Sequence, residues 1–131
     1  MPGKSQSHTD GVLNVLRGTD LIGVAPFVGL FSAAPADDNS AGTELAGNGY
    51  ARQAITFGAP VTDAGNVRKV SNTNNIQFGP ALANWVEAVV FGVFASIAGA
   101  LLYWDVLPTP KTVEQDDFGQ FAAGTLAVKE D

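Results

Sequence analysis

The sequence predicts a mostly β protein: an antiparallel β-sandwich or jelly-roll-like domain with a short N-terminal helix. Three observations carry that expectation. Short runs rich in β-branched and aromatic residues recur along the chain. Turn chemistry separates them, at Gly47-Asn48-Gly49, Asn72-Thr73-Asn74-Asn75 and Ser96-Ile97-Ala98-Gly99. Helical spacing occurs over one stretch near the start. The 131 residues suit one domain, which at this size buries about two-thirds of the surface its unfolded chain exposes. The expected division is a flexible arm over 1–8 and a single β domain over 9–131.

The elements follow in order. Thr9 or Asp10 is expected to cap a helix through Gly11 to Arg17, with Gly18 as its stop. Val12, Leu13 and Leu16 share one apolar face, and two turns of helix need a packing partner. Gly23 to Ala33 is a strand that starts at an edge or after Pro26, because proline cannot donate to a ladder. Pro35 to Thr43 reads as a long loop. Tyr50 to Phe57 alternates and is expected as a strand, with Tyr50 and Arg52 on one face. Val67 to Val70 is a weak strand and Ile76 to Phe78 another, then Ala81 to Trp85 suggests a helical turn. Glu87 to Ala95 and Ala100 to Val106 form an apolar hairpin. Pro108-Thr109-Pro110 is expected to end it. Gly119 to Ala122 and Thr125 to Lys129 close the chain, giving roughly seven or eight short strands in a sandwich-like pattern.

Composition narrows the function. The net charge is −6 and the pI about 4.5, which disfavours nucleic-acid binding because phosphates would be repelled. Charged residues make up 15% of the chain, against about 25% in ordinary domains. Asn, Ser, Thr, Gln, Gly or neighbouring subunits must then cover the surface. The chain has no cysteine, which removes disulfides and thiolate metal sites. The start, Met-Pro-Gly-Lys-Ser-Gln-Ser-His, lacks the apolar stretch of a signal peptide. Ala88 to Trp104 carries no charge, but the Ser96 to Gly99 turn in its middle makes it a buried hairpin and not a membrane span.

No catalytic constellation emerges, and the expectation is a protein that is not an enzyme. The one histidine, His8, lies in the expected arm, where a base has no rigid support. The run Asp37 to Glu44 has calcium-loop chemistry without EF-hand spacing, so an ordinary solvated loop is preferred. No metal and no cofactor is expected. Trp85, Trp104, Tyr50 and Tyr103 offer a sugar platform on paper, but aromatic residues in strands mostly fill cores. The candidate contact residues are Val12, Leu13 and Leu16 on the helix, with Trp85 and Trp104 as core fillers or interface anchors. Arg52 is placed to pair with Glu44 across the loop, and Lys111 to anchor the exit of the hairpin.

The order of elements carries a further signal. Phe27-Val28-Gly29-Leu30-Phe31-Ser32-Ala33-Ala34-Pro35 precedes an acidic loop, Thr43-Glu44 and Gly47-Asn48-Gly49-Tyr50-Ala51-Arg52-Gln53. Asn72-Thr73, Ile76-Gln77-Phe78, Trp85 and Val90-Phe91-Gly92-Val93-Phe94 follow. Leu101-Leu102-Tyr103-Trp104, Pro108-Thr109-Pro110-Lys111-Thr112-Val113 and Phe121-Ala122-Ala123-Gly124-Thr125-Leu126 complete it. Over roughly residues 10–131 this order resembles small virion proteins of tailed bacteriophages, described as tail-fibre or head-decoration proteins. The resemblance implies a structural virion protein assembled in the host cytoplasm. Its leading form is a capsid decoration (cement) protein on the major capsid protein; the alternative is a tail or head fibre or adaptor, and a carbohydrate-binding module ranks below both. The implied partners are virion proteins and further copies of the chain, with no nucleic acid and no membrane.

Overall fold

The structure, a computed structural model, describes residues 3–18, 24–36 and 42–130. Its short N-terminal part is β1 (Gly3–Lys4), α1 (Gln6–Asn14) and a single 3-10 turn at Val15–Arg17. Ten further strands follow: β2 (Phe27–Ala33), β3 (Thr43–Glu44), β4 (Gln53–Ala54), β5 (Val61–Thr62), β6 (Arg68–Ser71), β7 (Ile76–Phe78), β8 (Ala88–Phe94), β9 (Leu101–Lys111), β10 (Gly119–Phe121) and β11 (Ala127–Glu130). The described strands pair antiparallel throughout. The mostly β, antiparallel, sandwich-like expectation with one short N-terminal helix therefore holds.

The main sheet runs β1-β9-β8-β2-β3, with β4 also on β2. Two smaller sheets, β10-β7 and β11-β6-β5, pack against one of its faces. Val28, Leu30, Phe91 and Val93 point from the main sheet into this core, meeting Ile76, Phe78, Phe121 and Leu126. The other face carries a second cluster, Phe31, Val90, Phe94 and Leu101. Burial on both faces explains why β8 reads as an uninterrupted apolar run and not as an alternation. Gly92 makes this cluster fit: a Cβ there would come within 2.7 Å of the Phe31 ring and 2.8 Å of Leu101.

Five local expectations need correction. The arm is not a loose tail where it is described: Gly3 and Lys4 pair with Trp104 and Tyr103 of β9. The helix starts earlier than expected, at Gln6, because Ser5 caps it by accepting from the His8 amide at 3.2 Å. Ser5 is fully buried and its amide donates to the Leu102 carbonyl at 2.9 Å. The Tyr50 to Phe57 strand shrinks to the two residues of β4 plus a bridge from Phe57 to Asn72. Ala81 to Trp85 is bent but not helical. Its amides at Ala81, Leu82 and Trp85 donate to Asp117, Asn48 and Val113, distant carbonyls that replace those of a helical turn. Pro108-Thr109-Pro110 does not end β9, which pairs again at Lys111 with Ala88 after a register shift.

Other features stand where the sequence put them. Gly18 closes the 3-10 turn at φ 87°. β2 begins just after Pro26. Gly47, Asn48 and Gly49 all adopt positive φ. Asn72 holds the far end of the fold together. It is buried, its Nδ2 donates to the Asn74 and Ala122 carbonyls, and its Oδ1 accepts from the Leu126 amide at 2.9 Å.

Candidate contact surface

The polar centre of the molecule is a clasp of three side chains. β3 and β4 leave a gap along the outer edge of β2, at Gly29 and Leu30. The Tyr50 hydroxyl fills it, accepting from the Leu30 amide at 2.9 Å and donating to Glu44 Oε2 at 2.7 Å. Arg52 grips the same carboxylate through both of its arms, Nε to Oε2 at 2.9 Å and Nη2 to Oε1 at 2.8 Å. Its Nη1 donates to the Ile97 and Gly99 carbonyls in the β8–β9 turn, and its guanidinium lies 3.4 Å from the Phe94 ring centroid. Gly29 is required beneath, because a Cβ there would meet Glu44 Oε2 at 2.7 Å. Burial raises the Tyr50 hydroxyl well above its ordinary pKa, and the bond to Glu44 adds to this. The Glu44 carboxylate in turn raises Arg52. Every polar atom of this cluster thus serves the fold: it ties β2 to the β8–β9 hairpin.

The surface also exposes large apolar side chains. On α1 and the following turn Val12, Leu13, Val15 and Leu16 are exposed, Leu16 by 86%. His8 anchors the first turn of the helix to β9 through Nε2 and the Tyr103 hydroxyl, 3.0 Å apart. Beyond it, a groove of about 360 Å³ between helix and sheets is lined by Val12, Val24, Phe57, Val93, Leu102 and neighbouring residues. A second groove of about 410 Å³ shares Val70, Tyr103 and Val128 with it and is bounded by Pro60, Arg68 and Lys69. Further out, Asp63 takes Lys129 at 3.1 Å and Lys69 at 3.6 Å, and its hydrogen bond with Lys129 holds the carboxyl below the ordinary range. At the opposite end of β8, Leu82, Val86 and Phe118 stand exposed.

The two candidate tryptophans part company. Trp85 is in the main core, edge-on to Tyr50, with Nε1 donating to the Asn48 carbonyl at 2.8 Å. Trp104 is half-buried against the second cluster, and its Nε1 is buried without a hydrogen-bond partner among the described residues. Lys111 reaches the Gln120 carbonyl at 3.1 Å and lies 4.9 Å from the Phe121 ring centroid. The calcium-loop reading over Asp37 to Glu44 falls mostly outside the described residues, and Glu44 itself is committed to the clasp. Among the described residues, no group of three or more histidine or carboxylate side chains is arranged to hold a metal ion. No described helix is long and apolar enough to cross a membrane.

The class of protein these features define is an antiparallel β module whose central polar cluster is spent on internal bonds and whose surface exposes several large apolar side chains. A family model described as podophage GP4 fiber I protein gp80 matches residues 3–129, and the chain belongs to that family. It is a structural protein of the phage virion, of the fibre-like kind. No protein with a curated description matches the chain.

Proposed function

We propose that this chain is a fibre or adaptor component of a podophage particle, acting by contact with other virion proteins and with copies of itself, and without catalysis. The observation that carries the reading is the set of exposed large apolar side chains on a surface with few charges. An isolated monomer has little use for Leu16, Leu82 and Val86 in water, whereas an assembled subunit buries them. The clasp supports it from the other side, because the best-organised polar cluster among the described residues spends its polar atoms on bonds within the fold. The family description favours the fibre position.

The second reading is a capsid decoration protein bound to the major capsid protein. An acidic chain suits a particle's outer face better than its DNA-lined interior. Copy number relative to the major capsid protein in purified particles separates the two. A fibre or adaptor gives a small fraction of that protein, with antibody label at the fibres. A stoichiometry near that of the capsid lattice, with label over the head, would replace the fibre reading by decoration. Absence from particles would end both.

A further inference from the structure

We infer that copies of this chain associate head to tail, an apolar knob on one copy entering the basic-rimmed groove on the next; this deepens the assembly reading above and rests on it. The knob is Leu82 and Val86, exposed by 68% and 67%, with Phe118 beside them. It is held out rigidly. The Leu82 amide donates to the Asn48 carbonyl at 2.8 Å, the Ala81 amide to Asp117 at 3.0 Å and the Gln115 amide to Asn84 Oδ1 at 2.8 Å. These same bonds draw Glu114, Asp116 and Asp117 to the knob, and Glu87 adjoins Val86 in sequence. All four acids are exposed, and Lys111, paired with Ala88, is the one base nearby among the described residues.

The groove has the opposite sign. Val70, Tyr103 and Val128 form its apolar floor, and Arg68 and Lys69 stand on its wall. Lys4 pairs with Tyr103, and Lys129 follows Val128 opposite Lys69. Asp63 pairs with Lys129 and Lys69 and offsets part of this charge, in a chain that is net negative. Four of the seven basic residues thus meet at one end.

Knob and groove also lie at opposite ends of the same hairpin. Ala88 leads out of the knob segment, while Val93, beside the groove, lies about 17 Å further along β8 at the usual rise of a strand. Two complementary patches at opposite ends of one rigid body make a heterologous contact, which builds a ring or an open stack and not a closed two-fold dimer. Apolar area supplies the attraction, and the rims set orientation and exclude knob-to-knob and groove-to-groove pairing.

Sedimentation velocity of the purified full chain over a wide concentration range tests this. Wild type is expected to grow beyond a monomer, and more weakly at high salt, which screens the rims. Leu82→Asp/Val86→Asp blocks the knob and Arg68→Glu/Lys69→Glu blocks the groove. Each is expected to raise the concentration needed for association by about tenfold or more, with circular dichroism and a thermal melt as the check that each variant is folded. The deciding arm is the mixture. Knob-blocked and groove-blocked variants together retain one working knob and one working groove, so they form dimers and nothing larger. A wild-type chain that stays monomeric overturns the inference, as does association untouched by the knob variant or two variants that fail to combine. A monomeric chain that is still found in particles removes this contact and leaves the virion role standing.

Discussion

Arg52→Met is expected to be among the most damaging single substitutions outside the hydrophobic core. Arg52 and Glu44 are 19% and 23% exposed at the side chain, so the pair is neither dry nor freely solvated. Breaking a fully buried ion pair costs about 3–5 kcal/mol, because the partner is left charged and unpaired. With a fifth of each group open to water, the expected loss is about 2–4 kcal/mol, including about 1 kcal/mol for the guanidinium over Phe94. Glu44→Gln removes the charge but keeps an acceptor for Tyr50, and should cost about 1.5–3 kcal/mol. The double variant should be less unstable than the sum of the two by about 1.5–3 kcal/mol, since neither group is stranded. Urea unfolding measures this cycle, with equal m-values as the check that the unfolded state has not changed. For a chain of this size Arg52→Met should lower Tm by roughly 6–15 °C. A coupling below about 0.5 kcal/mol would mark an ordinary surface pair and refute the clasp. So would a coupling that disappears in high salt, because a sheltered pair is weakly screened.

Three further outcomes are expected. Asn72→Ala strips the Ala122 and Asn74 carbonyls and the Leu126 amide of their partner, and should cost about 2–3 kcal/mol in the same urea assay; a loss within 0.5 kcal/mol would contradict its role. Tyr50 has a raised pKa when folded, so its neutral form is favoured by folding and stability falls once the unfolded phenol ionises, above about pH 10. The wild-type slope there should exceed that of Tyr50→Phe by up to about 1.4 kcal/mol per pH unit, and parallel slopes would contradict the burial of that hydroxyl. Asp63 has a lowered pKa when folded, so its contribution is present above the ordinary carboxylate range and is lost as pH falls through the folded value. Asp63→Asn should flatten the acid limb of a stability-versus-pH curve, and an unchanged limb would remove the Lys129 interaction from the account.

Much of the fold was legible because its signals are local. The β8–β9 hairpin showed as two apolar runs around Ser96 to Gly99, the Gly47 to Gly49 turn as residues that tolerate positive φ, and the end of the helix as Gly18. The Glu44–Arg52 pair could be suggested because a turn brings two nearby positions together. The Tyr50 to Phe57 strand misled because the alternation is real but the ladder partner is not. A phenol hydroxyl, and not a backbone carbonyl, accepts from the Leu30 amide at the edge of β2. Ser5 was overlooked as the cap because Gln6, Ser7 and His8 give no apolar rhythm to mark a helix there.

The rest required distant parts of the chain to meet. Gly3 and Lys4 become a strand because β9, some hundred residues later, offers an open edge to them. The Pro108 segment stays in β9 because Ala88 pairs with Lys111 beyond it. Four bases that looked scattered come to one end of the fold, two of them on the groove wall, and four acids to one knob, because β6, β9 and β11 meet at one end and the 79–87 segment bonds to 113–117 at the other. Period, turn chemistry and composition are properties of a short window, so the sequence alone determined an antiparallel β protein with a short helix and a surface poor in charge. Which charges share a face depends on strand order and register, and those are set by packing between segments that the sequence holds far apart.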